Sequence, residues 1–165
     1  LEGVPGRFEL VPTTGDYTVV IDYAHTPDSL KNLLMTARAL VKNRLITVFG
    51  CGGNRDQGKR PLMGGIAAEL SDYTIITNDN PRWEDPEAIA EQIKAGFLER
   101  KPDGDITVLL DRGEAIRKAV LMAQSGDMVV IAGKGHETDQ DFGRYKSHFD
   151  DKEAAQAAVK EKEEA

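Results

Sequence analysis

The chain has 165 residues, 40% of them apolar and 30% charged, the composition of one ordinary globular domain with enough residues for a full core. A formal net charge of −7 argues against a nucleic-acid or anionic-membrane surface. The lone Cys51 excludes a disulfide framework or a cysteine-based zinc site and fits a reducing, cytoplasmic setting.

No apolar run approaches the ~18 residues of a membrane span, and no charged-then-apolar leader stands at the start. The first residue is Leu1 rather than Met, so a fragment or processed product is expected. Residues 1–14 are rich in Gly and Pro and read as a linker running into a short strand over 7–11. The β-branched run at 17–24 predicts a central strand, and Thr26-Pro27 an N-cap followed by proline at the first helical position. The helix that follows places Leu30, Leu33, Leu34, Ala37, Leu40 and Val41 on one face. A strand over 45–49 leads into the glycine-rich stretch 50–60, and Pro61 starts a helix with Leu62, Ile66, Ala67 and Leu70 facing inward. A strand over 73–76 runs into Thr77-Asn78-Asp79-Asn80-Pro81-Arg82. Asp85-Pro86 caps a helix carrying Ile89, Ile93, Phe97 and Leu98. A strand over 106–110, a helix over 112–124 and a strand over 128–132 follow. A short polar segment over 143–147 and a charged, Ala-rich helix from about 150 close the chain. Strands that are apolar throughout and alternate with helices predict an α/β fold, a mostly parallel sheet covered on both faces.

In such sheets ligands gather at the carboxyl ends of the strands, and four of those ends carry unusual residues. Asp22 and His25 could touch a nucleotide, or equally could cap a turn and satisfy the backbone. Gly53 and Gly58-Lys59 have the spacing of a phosphate-binding P-loop, but Arg60 stands where Ser or Thr should bind magnesium and Pro61 removes an amide, so this is a near-miss. Arg55, Lys59 and Arg60 nevertheless make an anion grip. Arg82, beside Asp79, Asn80 and Pro81, offers a fork for a carboxylate. Gly133-Lys134-Gly135-His136-Glu137 is either a plain tight turn or a loop in which Glu137 holds an ammonium group. Trp83 and Cys51 are assigned to packing. Arg55, Arg82 and Glu137 on one rim suit a zwitterion.

Taken together, Asp22-Tyr23-Ala24-His25-Thr26-Pro27, Phe49-Gly50-Cys51-Gly52-Gly53-Asn54-Arg55-Asp56, Gly58-Lys59-Arg60-Pro61, Asp79-Asn80-Pro81-Arg82 and Gly133-Lys134-Gly135-His136-Glu137 resemble, in order, the C-terminal domain of the Mur ligases. Among these they are most similar to the branch that adds meso-diaminopimelate, and the resemblance extends from Val4-Pro5-Gly6-Arg7 to the last helix. It implies a Rossmann-like domain over 15–165, preceded by the linker and short strand of 1–14. It also implies two further domains outside this chain, one for the UDP end of the substrate and a central ATPase. The implied reaction is an ADP-forming ligation in peptidoglycan synthesis: ATP phosphorylates the carboxylate of UDP-MurNAc-L-Ala-D-Glu, and the amino acid attacks the acyl phosphate. ATP and Mg2+ would be bound mainly by the central domain, which would pack against this one and carry the P-loop and a carbamylated lysine. The chain alone is therefore expected to be inactive and to hold no catalytic residue and no metal ligand. The resemblance further implies a meso-diaminopimelate site at Arg55, Asp79, Asn80, Pro81, Arg82, Gly133 and Glu137, with ATP contacts at Asp22 and His25. Two alternatives remain open. A folyl-polyglutamate or cyanophycin-type ligase shares the Asp-x-Ala-His-x-Pro loop, although the 79–82 and 133–137 loops speak against it. A stand-alone nucleotide- or amino-acid-binding module without chemistry is the other.

Overall fold

The structure, a computed structural model, describes residues 4–165; the first three residues of the expected linker lie outside it. Six strands among the described residues form one sheet: β1 (Glu9–Val11), β2 (Thr18–Asp22), β3 (Leu45–Phe49), β4 (Tyr73–Ile76), β5 (Ile106–Val108) and β6 (Met128–Ala132). Their spatial order is β1-β2-β6-β3-β4-β5. β2, β6, β3, β4 and β5 run parallel, and β1 pairs antiparallel with β2 along one edge. The expected mostly parallel sheet is present, with several strands shorter than their apolar runs. Backbone hydrogen bonds continue past the strand ends, as from Thr77 N to Phe49 O and from Leu109 N to Ile76 O, and lead into the rim loops.

Five helices cover the sheet: α1 (Pro27–Leu40), α2 (Lys59–Leu70), α3 (Pro86–Arg100), α4 (Arg112–Met122) and α5 (Asp151–Glu164). All but α2 start at short polar caps. Thr26 and Ser29 form a reciprocal capping box, and Asp85, Asp111 and Asp150 each accept backbone amides of their helix's first turn. Every residue of β3 and β6 is buried, which is why neither alternates in polarity. Alternate side chains instead go to opposite cores. Val20, Leu45, Phe49 and Val130 pack with α1, α2 and α3; Val19, Ile21, Ile46, Val48 and Val129 pack with α4 and α5. No helix among the described residues is long and apolar enough to cross a membrane.

Three expectations change. α2 begins at Lys59, two residues before Pro61, and buries Met63, Gly64 and Gly65 where it crosses α3, leaving Leu62 exposed. Leu40, at the frayed end of α1, is exposed as well. Trp83 is 69% exposed rather than packed, because its neighbour Arg82 takes a left-handed backbone that turns the chain outward. The polar segment over 143–147 closes a small hairpin of β7 (Asp139–Asp141) and β8 (Lys146–His148).

Topology explains the rim. The chain steps from β2 past one position to β3, continues outward through β4 and β5, and returns by α4 to insert β6 between β2 and β3. The carboxyl ends of β2, β6, β3 and β4 therefore stand side by side, and their four loops meet at the point where the strand order reverses.

Candidate functional site

The loop after β4 is built around strain and burial. Arg82 has φ +53, a conformation that costs a non-glycine residue about 1–3 kcal/mol and persists only where its surroundings enforce it. They do so here. The Arg82 amide donates to the Asp141 carbonyl at 2.9 Å, its Nη1 donates to the Gly53 carbonyl at 2.9 Å, and its Nε lies 3.9 Å from Asp141 Oδ2. Asn80 Oδ1 accepts from the Asp141 amide at 2.9 Å and from Lys134 Nζ at 3.3 Å. Pro81 is buried. Asp79 is 8% exposed, and its Oδ1 is buried with no hydrogen-bond partner among the described residues.

The glycine-rich loop after β3 packs against that loop instead of wrapping a phosphate. A Cβ on Gly53 would overlap the Pro81 carbonyl, so only glycine permits the approach. The amides a P-loop would turn toward phosphate are already used: Gly53 N donates to Asn80 O at 2.7 Å, Asn54 N to Glu84 Oε1 at 2.7 Å, and Gly58 N to Asp56 Oδ1 at 2.8 Å. The near-miss reading of this stretch holds. The anion grip changes. Arg60 is fully buried, bonded to Glu84, Gln92 and the Gly52 carbonyl, because the crossing of α2 and α3 leaves its guanidinium no path to the rim. Arg60 also holds the Glu84 carboxyl below the usual range by donating to it. Lys59 Nζ donates to the His25 carbonyl at 2.9 Å, and Arg55 remains exposed at the rim.

At the end of β2, Asp22 spends both oxygens on the amides of Ala24 and Phe8, at 2.8 Å each. It braces the loop and does not line the pocket described below. His25 does line it, with Nδ1 3.0 Å from the Tyr23 carbonyl and its ring edge-on to Tyr23. After β6, Gly133 adopts φ +118 while its amide donates to the Asp22 carbonyl at 3.0 Å. Lys134 is fully buried behind it, and Glu137 Oε1 lies 3.4 Å from Lys134 Nζ.

These loops enclose one hollow of ≈ 280 Å³. Tyr23, His25 and Gly133 come from the β2 and β6 ends, Gly52, Arg55 and Lys59 from the β3 end, Asp79, Asn80 and Arg82 from the β4 end, and Glu137 closes it. Its volume suits a ligand of amino-acid size, and it sets cations against carboxylates, the arrangement a zwitterion requires. Of the expected amino-acid contacts, Arg55, Asp79, Asn80, Arg82, Gly133 and Glu137 all line it. Pro81 acts through its backbone, shaping the turn. A second hollow of ≈ 280 Å³, lined by Thr138, Asp139, Asp141 and Lys146, shares Asn80, Arg82 and Glu137 with the first. Those three side chains thus form the wall between the two. Cys51 is packed as expected, with burial pushing its thiol up to about 12, too high for a nucleophile at neutral pH.

Two buried cations behind the rim were not foreseen. Arg112, at the start of α4, donates to the carbonyls of Asn78 and Ala132 and pairs with Asp151 through Nε at 2.7 Å and Nη2 at 2.8 Å. It ties the ends of β4 and β6 to the start of α5. Burial is the largest influence and lowers its pKa, but the charge and hydrogen bonds of Asp151, with the charges of Asp79 and Glu137, together outweigh it and hold the group above the usual value. Lys134 is the other. The only sequence signal for either is a cation placed at a strand end or helix start.

Comparison with known proteins places the sequence and the fold in a family. The family model described as "Mur ligase, glutamate ligase domain" matches residues 6–135. The UDP-N-acetylmuramoyl-L-alanyl-D-glutamate–2,6-diaminopimelate ligase of Synechococcus elongatus is 56% identical over 164 residues, 99% of this chain and 32% of that protein. The ligase of the same name from Syntrophomonas wolfei is 54% identical over 155 residues, 94% of this chain and 32% of that protein. A solved structure of a ligase of that name superposes with a TM-score of 0.86 at 42% identity, over 99% of this chain and 33% of that one. The chain thus spans about a third of the length of the curated relatives it matches. With the family model covering most of its length and the rim loops in place, the chain belongs to the Mur ligase family.

Proposed function

We propose that this chain is the amino-acid-binding domain of a three-domain, ADP-forming ligase of the MurE kind. That enzyme joins meso-diaminopimelate to UDP-MurNAc-L-Ala-D-Glu in the cytoplasm, during peptidoglycan synthesis. The observation that carries the reading is the hollow in which Arg55, Asn80 and Arg82 meet Asp79 and Glu137. Diaminopimelate carries an ammonium and a carboxylate at each end, whereas lysine lacks the distal carboxylate. Arg82 offers that carboxylate two donors, and Asp79, whose side chain lines the hollow, offers a carboxylate to an ammonium group. With lysine bound, the guanidinium would sit desolvated without its anion, at a cost on the order of 1–3 kcal/mol. The names of the relatives support the same substrate.

In the ligase, ATP supplies the phosphoryl group that activates the peptide carboxylate. This chain's part is to hold the amino acid by both ends, so that its attack on the acyl phosphate comes from an oriented amine rather than a chance encounter. His25, which lines the hollow with Lys59 on its β2 side, supports the reading that this edge of the rim faces the nucleotide. Asp22 serves that contact indirectly, by fixing the loop. Mg2+ does not fit this part of the site. Among the described residues no group of His, Cys, Asp and Glu is placed to hold a metal ion, so magnesium is assigned to the proposed central domain, against which this rim packs on closure.

The test is Arg82→Ala in the ligase. The expected result is a rise of about 10–100-fold in the KM for meso-diaminopimelate, with the KM for ATP unchanged. A wild-type KM for diaminopimelate in that variant would overturn the reading.

A further inference from the structure

We propose that Lys134 is a positioning residue, which aims the Asn80 side-chain amide at the carboxylate of the bound amino acid. The inference rests on the reading of the hollow as an amino-acid site, and begins from which end of the Asn80 amide faces where. The Asp141 backbone amide, which can only donate, lies 2.9 Å from one end of that group, so this end is the oxygen. Lys134 Nζ, also purely a donor, lies 3.3 Å from the same oxygen. With its oxygen held by two donors, Asn80 has only its NH2 left to offer the hollow, on the wall it shares with Arg82.

Lys134 is built for this task. Its side chain has no exposed surface, and Nζ spends its other donors on the Asp139 carbonyl at 2.5 Å and on Glu137 Oε1 at 3.4 Å, with Asp79 Oδ1 at 4.0 Å. It therefore fixes Glu137 as well, and stands among the groups assigned to the two ends of the ligand. Without it, the Asn80 amide is held by one donor instead of two. A flip would then turn an oxygen toward the carboxylate of the ligand, replacing a donor by a like-charged partial charge.

The experiment is a double-mutant cycle in the ligase carrying this chain as its third domain, with steady-state KM for the amino acid as the readout. Lys134→Met is expected to raise that KM about tenfold or more, with kcat changed by less than about threefold and the KM for ATP unchanged. Lys134→Gln keeps an amide donor on a similar stem and is expected to recover part of the loss; it also carries the cycle if the Met variant fails to fold. Asn80→Ala is expected to raise the KM similarly. Because Lys134 acts through Asn80, the double variant should fall well short of the product of the two single effects, the small remainder being the hold of Lys134 on Glu137. Effects that multiply, to roughly a hundredfold, would overturn the proposal by showing that Lys134 contributes independently of Asn80. If the wild-type ligase turns over a different amino acid, the diaminopimelate reading fails, while the cycle, run with that amino acid, still decides the role of Lys134.

Discussion

At the scale of single residues, the site separates side chains that serve the fold from those that wait for a ligand. Asp79 belongs with the second group: it lines the hollow, its Oδ1 has no hydrogen bond among the described residues, and the charges near it are Lys134, at 4.0 Å, and Arg112. Asp79→Asn is therefore expected to lower diaminopimelate affinity about tenfold while moving the thermal midpoint little, because no folded-state hydrogen bond is lost. Calorimetry and a melting curve on the same sample check both halves, and a large drop in midpoint would return Asp79 to a structural role. Arg82, Glu137 and Arg55 were legible in the sequence because a charged residue just beyond an apolar strand has one natural place, the rim. Arg60 was misread for the same reason. Its position in the glycine-rich stretch looked like rim, yet its partners Glu84 and Gln92 lie 24 and 32 residues away and draw it beneath the loop. The burial of Lys134 and Arg112 was not legible because it depends on the meeting of strand ends that are far apart in the chain.

At the scale of elements, local signals performed well where they were strong. The β-branched strands and the Thr26-Pro27 and Asp85-Pro86 starts all appear as the chain's own chemistry dictates. β7 and β8 did not announce themselves, because three-residue polar strands carry no apolar alternation; β7 is tied to the rim by the hydrogen bonds of Asp141 with Asn80 and Arg82. The glycine-rich stretch was legible as a place of close approach but not in its partner, which is the β4 loop rather than a phosphate. Gly53→Ala is expected to destabilise the chain by about 2–4 kcal/mol, since its Cβ would overlap the Pro81 carbonyl, and to weaken amino-acid binding by displacing Arg82. Denaturant unfolding read beside calorimetry checks this. An alanine variant with wild-type stability would show that the two loops can part freely.

At the scale of the whole molecule, stability and function meet at opposite ends of the sheet. Away from the rim, Asp127 is pushed up by burial, but hydrogen bonds from the Arg44 side chain and from the Gln124 and Arg44 amides outweigh this and hold its carboxyl below the usual range. A depressed folded pKa means that the stabilisation is fully present above the unfolded aspartate value of about 3.9 and is lost as the pH falls through the lower folded value. Asp127→Asn should therefore flatten the acid limb of the stability–pH curve, and an unchanged limb would assign acid unfolding to other carboxylates. At the rim, four parallel strand ends bring together charges as far apart in the chain as Arg55 and Glu137, and the fold's contribution to function is that convergence. The central claim is that these charges distinguish diaminopimelate from lysine. Calorimetric titration of this chain with meso-diaminopimelate and with L-lysine tests it most directly. The expected result is saturable binding of diaminopimelate at least about tenfold tighter than lysine; equal affinity for the two, or a preference for lysine, would contradict it.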